Sequence, residues 1–91
     1  MFVPYEGVNA PANAYVYRDV KVRFTYRVDI GRNQVGEMDI DGLFPGEERE
    51  WRFHQLRGPW ATREEGLAAA QNWAKSWIDA QLENPASGDH K

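Results

Sequence analysis

From Thr62 to Asn84 the chain spells out one long helix with both ends marked, and this segment constrains the fold more than any other. Thr62-Arg63-Glu64-Glu65 is a capping box. The threonine hydroxyl accepts from the backbone N–H of Glu65, and the glutamate reaches back to a donor at the cap, so two orphan N–H groups are satisfied. Asn84-Pro85 stops the helix, because proline has no N–H for a further turn. At ~1.5 Å per residue, positions 63–83 span about 30 Å, enough to cross a small sheet. Leu67, Ala70, Ala74, Trp77 and Ile78 make the central apolar stripe, which puts Trp77 in the core. Ala69, Trp73 and Ala80 widen it on one flank, beyond the ~100° that one contact face needs.

The surface for that helix to cover lies upstream. Val20, Val22, Phe24, Tyr26, Val28 and Ile30 alternate with Lys21, Arg23, Thr25, Arg27 and Asp29, the pattern of a half-buried antiparallel strand. Tyr15-Val16-Tyr17 forms a short partner turned at Arg18-Asp19. A second long strand follows Gly31-Arg32-Asn33, with Met38 and Ile40 inward and Glu37, Asp39 and Asp41 outward. A three-residue loop with Asn33 in the left-handed region sets Arg27 against Glu37 and Arg23 against Asp41. Phe44-Pro45-Gly46-Glu47 is a turn, and Glu50–His54 reads as a third strand with Trp51 and Phe53 inward. A two-residue Pro45-Gly46 turn sets Ile40 against Trp51 and Asp39 against Arg52. Gly58-Pro59 then ends the sheet.

Ninety-one residues make one domain, above the ~70–80 below which a single core rarely holds without staples. There is no cysteine, so disulfides and thiolate metal sites are excluded, and the core must come from aromatic and β-branched residues. Residues 1–13 read as an irregular lead-in from which Phe2, Val3 and Tyr5 are able to add a short edge strand; 14–84 form the domain, and 85–91 a flexible tail. A net charge of −3 lacks the basic field of a nucleic-acid binder. No apolar run approaches the ~18 residues of a membrane span, and no export signal is visible, so the expected location is the cytoplasm.

Motifs that carry chemistry are thin. Glu37-Met38-Asp39-Ile40-Asp41-Gly42, with Glu48 further on, approaches a calcium-loop pattern, but its first ligand is Glu and its flanks are strands rather than helices. An acidic strand face beside a basic one accounts for it. His54 beside Glu37 across the strands has no third group to make an acid–base or metal site. The β-β-β-α order resembles a double-stranded RNA-binding domain, yet the helix start is acidic, and the outward sheet face has no aromatics for base stacking. Trp73 is the residue with two readings. Either it packs with Trp60 over the sheet margin, or it anchors an interface, flanked by alanines that let another surface approach.

Tyr17–Val22, Gly58-Pro59-Trp60-Ala61-Thr62-Arg63-Glu64-Glu65 and Ala74–Asp79 together resemble a broad class of small bacterial and prophage-borne proteins. These join a short antiparallel sheet to a "G-x-aromatic-x-T-x-E-E … W-I-D" helix; here Gly66 stands where that pattern has Ala, and Asp19 where Gly is frequent. The class implies no established activity. The T-x-E-E helix start after a meander is also similar to HicB-type antitoxins, without their G-D-T-rich lead-in.

The expectation is therefore an α+β domain: a three- or four-stranded antiparallel meander, one face covered by the C-terminal helix and the other largely solvated. Its expected function is a non-enzymatic protein-interaction module, an accessory or inhibitor protein of a mobile element that binds a larger partner or a second copy of itself. An antitoxin-like nucleic-acid regulator is the alternative. No catalytic, cofactor or metal residues are expected, and Ala69, Trp73 and Ala80 are the candidate interface.

Overall fold

A computed structural model of the chain describes residues 2–5 and 13–83; Met1 and residues 6–12 of the lead-in, the Asn84-Pro85 helix stop and the tail at 85–91 lie outside the described residues. Among the described residues five strands, β1 (Val3–Pro4), β2 (Ala14–Tyr17), β3 (Val20–Asp29), β4 (Gln34–Leu43) and β5 (Trp51–Trp60), precede one helix, α1 (Arg63–Glu83). The strands form a single antiparallel sheet in chain order. The α+β class and the covering helix are as expected, but the sheet has five strands rather than three or four. The fifth comes from the lead-in, where Val3 and Pro4 pair with Val16 and Tyr15. Phe2 then stacks on Tyr17 at 4.9 Å and meets the edge of Phe24.

The β3–β4 hairpin follows the sequence closely. Asn33 takes a φ of 55°, Arg27 faces Glu37 and Arg23 faces Asp41. The short turn before it holds Arg18 and Asp19 at φ 52° and 69°, the paired left-handed geometry that suits a two-residue hairpin. The inward alternation does not run to its expected end, however. Val28 is 46% exposed and Ile30 89%. The pairing shifts between Arg27 and Val28, and Val28 reaches a cleft shared with Ala61 and Arg63, where the helix begins. Ile30 lies in the turn beyond that point.

The β4–β5 hairpin departs further. Pro45-Gly46 does turn the chain, with Glu47 N–H donating to the Phe44 carbonyl at 3.1 Å. The loop nevertheless continues to Glu50, because the Glu47 carboxylate accepts from Phe44 N–H and from Trp51 Nε1, both at 2.9 Å. Trp51 therefore faces Gly42 instead of Ile40, and Asp39 faces Gln55 instead of Arg52. A register shift between Ile40 and Asp41 then leaves Phe53 without a partner, and Ile40 faces His54. Gly58-Pro59 does not end the sheet: β5 continues to Trp60, which pairs with Val35. Proline is tolerated there because β5 is an edge strand.

Val20, Val22, Phe24, Met38 and Ile40 make the sheet side of the core. Gly66, Ala70, Ala74 and Ile78, four residues apart, form the buried helix ridge, and the first three are small enough to bring α1 close to the sheet. Trp77 and Leu67, expected in the core, are only half-buried beside that ridge. Glu65 N–H donates to Thr62 Oγ1 at 3.1 Å, while the returning Glu65 carboxylate takes the Ala61 N–H at 3.0 Å rather than that of Thr62. At the other end Asp79 accepts from Tyr17 at 2.6 Å and from Arg18 at 2.9 Å, tying the helix to the β2–β3 turn. Among the described residues no helix is long and apolar enough to cross a membrane.

Candidate functional site

The seam between α1 and β5 carries a continuous run of aromatic rings. Trp51, Phe53 and His54 project from β5 toward the helix, Phe53 and His54 both doing so because of the register shift. Trp77 is the hub. Its ring lies 4.7 Å from Phe53, 6.0 Å from Trp51 and 5.8 Å from Phe44. One helical turn back, Trp73 stacks on Trp77 at 5.5 Å and 16°, and His54 stacks on Trp73 at 4.3 Å and 13°. Rings at these separations attract by more than their buried area alone, so the run holds its own shape. Trp51 is 43% exposed, with its indole N–H already held by Glu47, and it offers a large apolar face to solvent.

The three residues expected to form an interface lie on this side in part. Trp73 and Ala69 are half-buried and Ala80 is exposed. Trp73 takes His54 and Trp77 as ring partners, whereas Trp60 lies over Gly66 beside Met38. The sequence reading missed Trp51 and His54 as members of the surface. The alternation marks Trp51 as inward-facing, which is right, but at the β5 edge it is 43% exposed and stays outside the core. His54 was set beside Glu37; it faces Ile40, on the opposite side of the sheet, and Glu37 faces Arg57.

The face of the sheet away from the helix is not simply solvated. Asp39 is 2% and Asp41 9% exposed, beneath side chains from the strands on either side. Asp39 accepts from Arg27 Nε at 2.8 Å and from Gln55 at 2.6 Å, and Asp41 accepts from Arg52 Nε at 2.6 Å. Arg23 forks onto Glu50 and approaches Asp41 at 3.8 Å. Asp39 and Asp41 of the calcium-like motif are thus engaged by guanidinium and amide groups, and Glu37 lies 3.8 Å from Arg27. Among the described residues no three His, Cys, Asp or Glu side chains converge on a point where an ion could sit.

Burial pushes the Asp39 carboxyl up, but the hydrogen bonds from Gln55 and Arg27 and the charge of Arg52 outweigh it and hold the group below the usual carboxylate range. A carboxyl depressed in the folded state stabilises fully above its unfolded value of ~3.9 and loses that contribution as pH falls through the folded one. Asp79, held low by the Tyr17 and Arg18 hydrogen bonds, acts in the same direction. Urea unfolding from neutral pH to about pH 2 is therefore expected to show stability falling below about pH 4. Asp39→Asn should lower the neutral-pH plateau and make the acid fall shallower. An unchanged acid fall in that variant would show that Asp39 does not carry it.

No known protein family, curated protein or solved structure matches this chain.

Proposed function

We propose that the chain is a non-enzymatic protein-interaction module of the accessory or inhibitor kind, which binds a larger partner through the α1–β5 seam. The observation that supports this reading is the aromatic run Trp51–Trp77–Trp73–His54 beside an open sheet edge. Tryptophan is over-represented among residues that dominate binding energy, and Ala69 and Ala80 on the same helix leave room for an approaching surface. The paired arginines of the opposite face favour a protein partner over nucleic acid, since Arg23, Arg27 and Arg52 each meet a carboxylate.

Affinity capture from the native host with the wild-type chain, Trp51→Glu and Trp73→Glu tests this. A protein held by the wild type should be lost from both variants while circular dichroism shows both folded. Equal retention by the folded variants would remove the seam as the binding surface. Salt-sensitive retention of nucleic acid by the wild type would favour the antitoxin-like regulator instead.

A further inference from the structure

We propose that the open edge of β5 from His54 to Arg57 receives an extended segment of a partner protein whose side chains alternate between acidic and apolar. The inference rests on the protein-interaction reading above and names the chemistry of the partner.

Among the described residues β5 is the last strand of the sheet and pairs on one side only, so on the other its backbone donors and acceptors are available to a further strand. The opposite edge, β1, is two residues long. Two features bound the usable stretch of β5. The register shift at Phe53 interrupts the ladder on one side, and Pro59 lacks a donor on the other. His54–Arg57 remain, a run of about 13 Å at ~3.3 Å per residue.

The side chains of β5 then select the occupant. Toward the helix stand His54, on Trp73, and Leu56; on the outer face stand Arg52, Gln55 and Arg57. The inner edge already shows what such a strand accepts. β4 sets Met38 against Leu56 and Ile40 against His54, while Asp39 takes Gln55 and Asp41 takes Arg52. The outer edge presents the same side chains to a newcomer. Arg57 is exposed and, among the described residues, makes no ion pair, because Glu37 opposite it approaches Arg27 at 3.8 Å. A second copy of the chain does not meet the requirement. β5 contains no acidic residue, so antiparallel pairing of two β5 edges brings cations together with no anion between them.

The test uses the full chain labelled with 15N and two short blocked peptides, one alternating glutamate with valine and the other lysine with valine. At low ionic strength the glutamate peptide should shift the His54–Arg57 amide signals saturably and slow their hydrogen exchange. The lysine peptide should bind roughly tenfold more weakly or not at all. Arg57→Glu, at an exposed position, should reverse the preference with the fold unchanged. Equal binding of both peptides, saturable shifts elsewhere, or no shift at millimolar peptide would overturn the proposal. So would peptide-free, concentration-dependent shifts of the same amides with the mass of a dimer, which would assign the edge to a second copy. If Trp51→Glu and Trp73→Glu lose a captured partner while the glutamate peptide leaves β5 silent, the interaction reading stands and the acidic-strand chemistry falls.

Discussion

Gly42→Ala is expected to destabilise the domain by about 3 kcal/mol, the upper end of the usual range for overpacking. At this chain length that corresponds to a melting temperature lower by roughly 15 °C. A Cβ at Gly42 lies 2.6 Å from the Lys21 carbonyl oxygen and overlaps the Phe53 ring. The ring has room to swing toward solvent, since Phe53 is only half-buried. The carbonyl does not, because it belongs to β3, where Val22 pairs with Gly42 itself. Adding Phe53→Ala to Gly42→Ala should therefore fail to restore stability. Gly36→Ala is the control: its Cβ meets nothing nearer than 3.6 Å, and the variant should melt near the wild type. Thermal unfolding of the four chains decides the matter. A Gly42→Ala protein as stable as Gly36→Ala would mean that β3, β4 and β5 are not packed at this register.

Gly42 also shows where sequence reading stops. In the sequence it is the sixth position of a calcium-like loop; in the fold it is the opening that admits Phe53 under Trp77. The β3–β4 register was legible because the three-residue loop and the facing charges, Arg27 with Glu37 and Arg23 with Asp41, give the same answer independently. The helix was legible for a similar reason, since its cap and its stripe agree. The β4–β5 register was not. The Pro45-Gly46 signal fixes where the chain turns but not where pairing resumes, and that is decided by the Glu47 carboxylate and the shift at Phe53. Every misplaced contact of β5 follows from this, His54 with Glu37 included. The burial of Asp39 was illegible for another reason: it depends on long side chains from β3 and β5 converging over a face that alternation marks only as polar. The aromatic seam was half legible. Trp73 stood out on the helix, but its partners lie on the misregistered strand.

Trp77→Ala is expected to cost about 3 kcal/mol although Trp77 is not fully buried. The indole touches Phe44, Trp51, Phe53 and Trp73, so its removal opens a gap between α1 and β5 that four neighbouring rings border. The helix ridge beneath is built from Gly66, Ala70 and Ala74, which lie close to the sheet but reach no further sideways, and Ile78 faces the core rather than the seam. Among the described residues nothing on that side of the helix fills the gap. Trp51→Ala removes a ring that is 43% exposed and lies at the end of the run, so its loss should be well under half as large. Trp77→Ala should lose the near-ultraviolet dichroism of the stacked Trp73–Trp77 pair, which Trp51→Ala keeps, and only Trp77→Ala should shift the urea midpoint strongly. The two also separate stability from binding. Trp51→Ala should weaken partner capture in a chain that remains folded, whereas Trp77→Ala should weaken it by loosening the seam on which Trp73 and His54 are stacked. Equal midpoints for the two variants would show that Trp77 is a surface residue beside the core and that the seam is not held together by its rings.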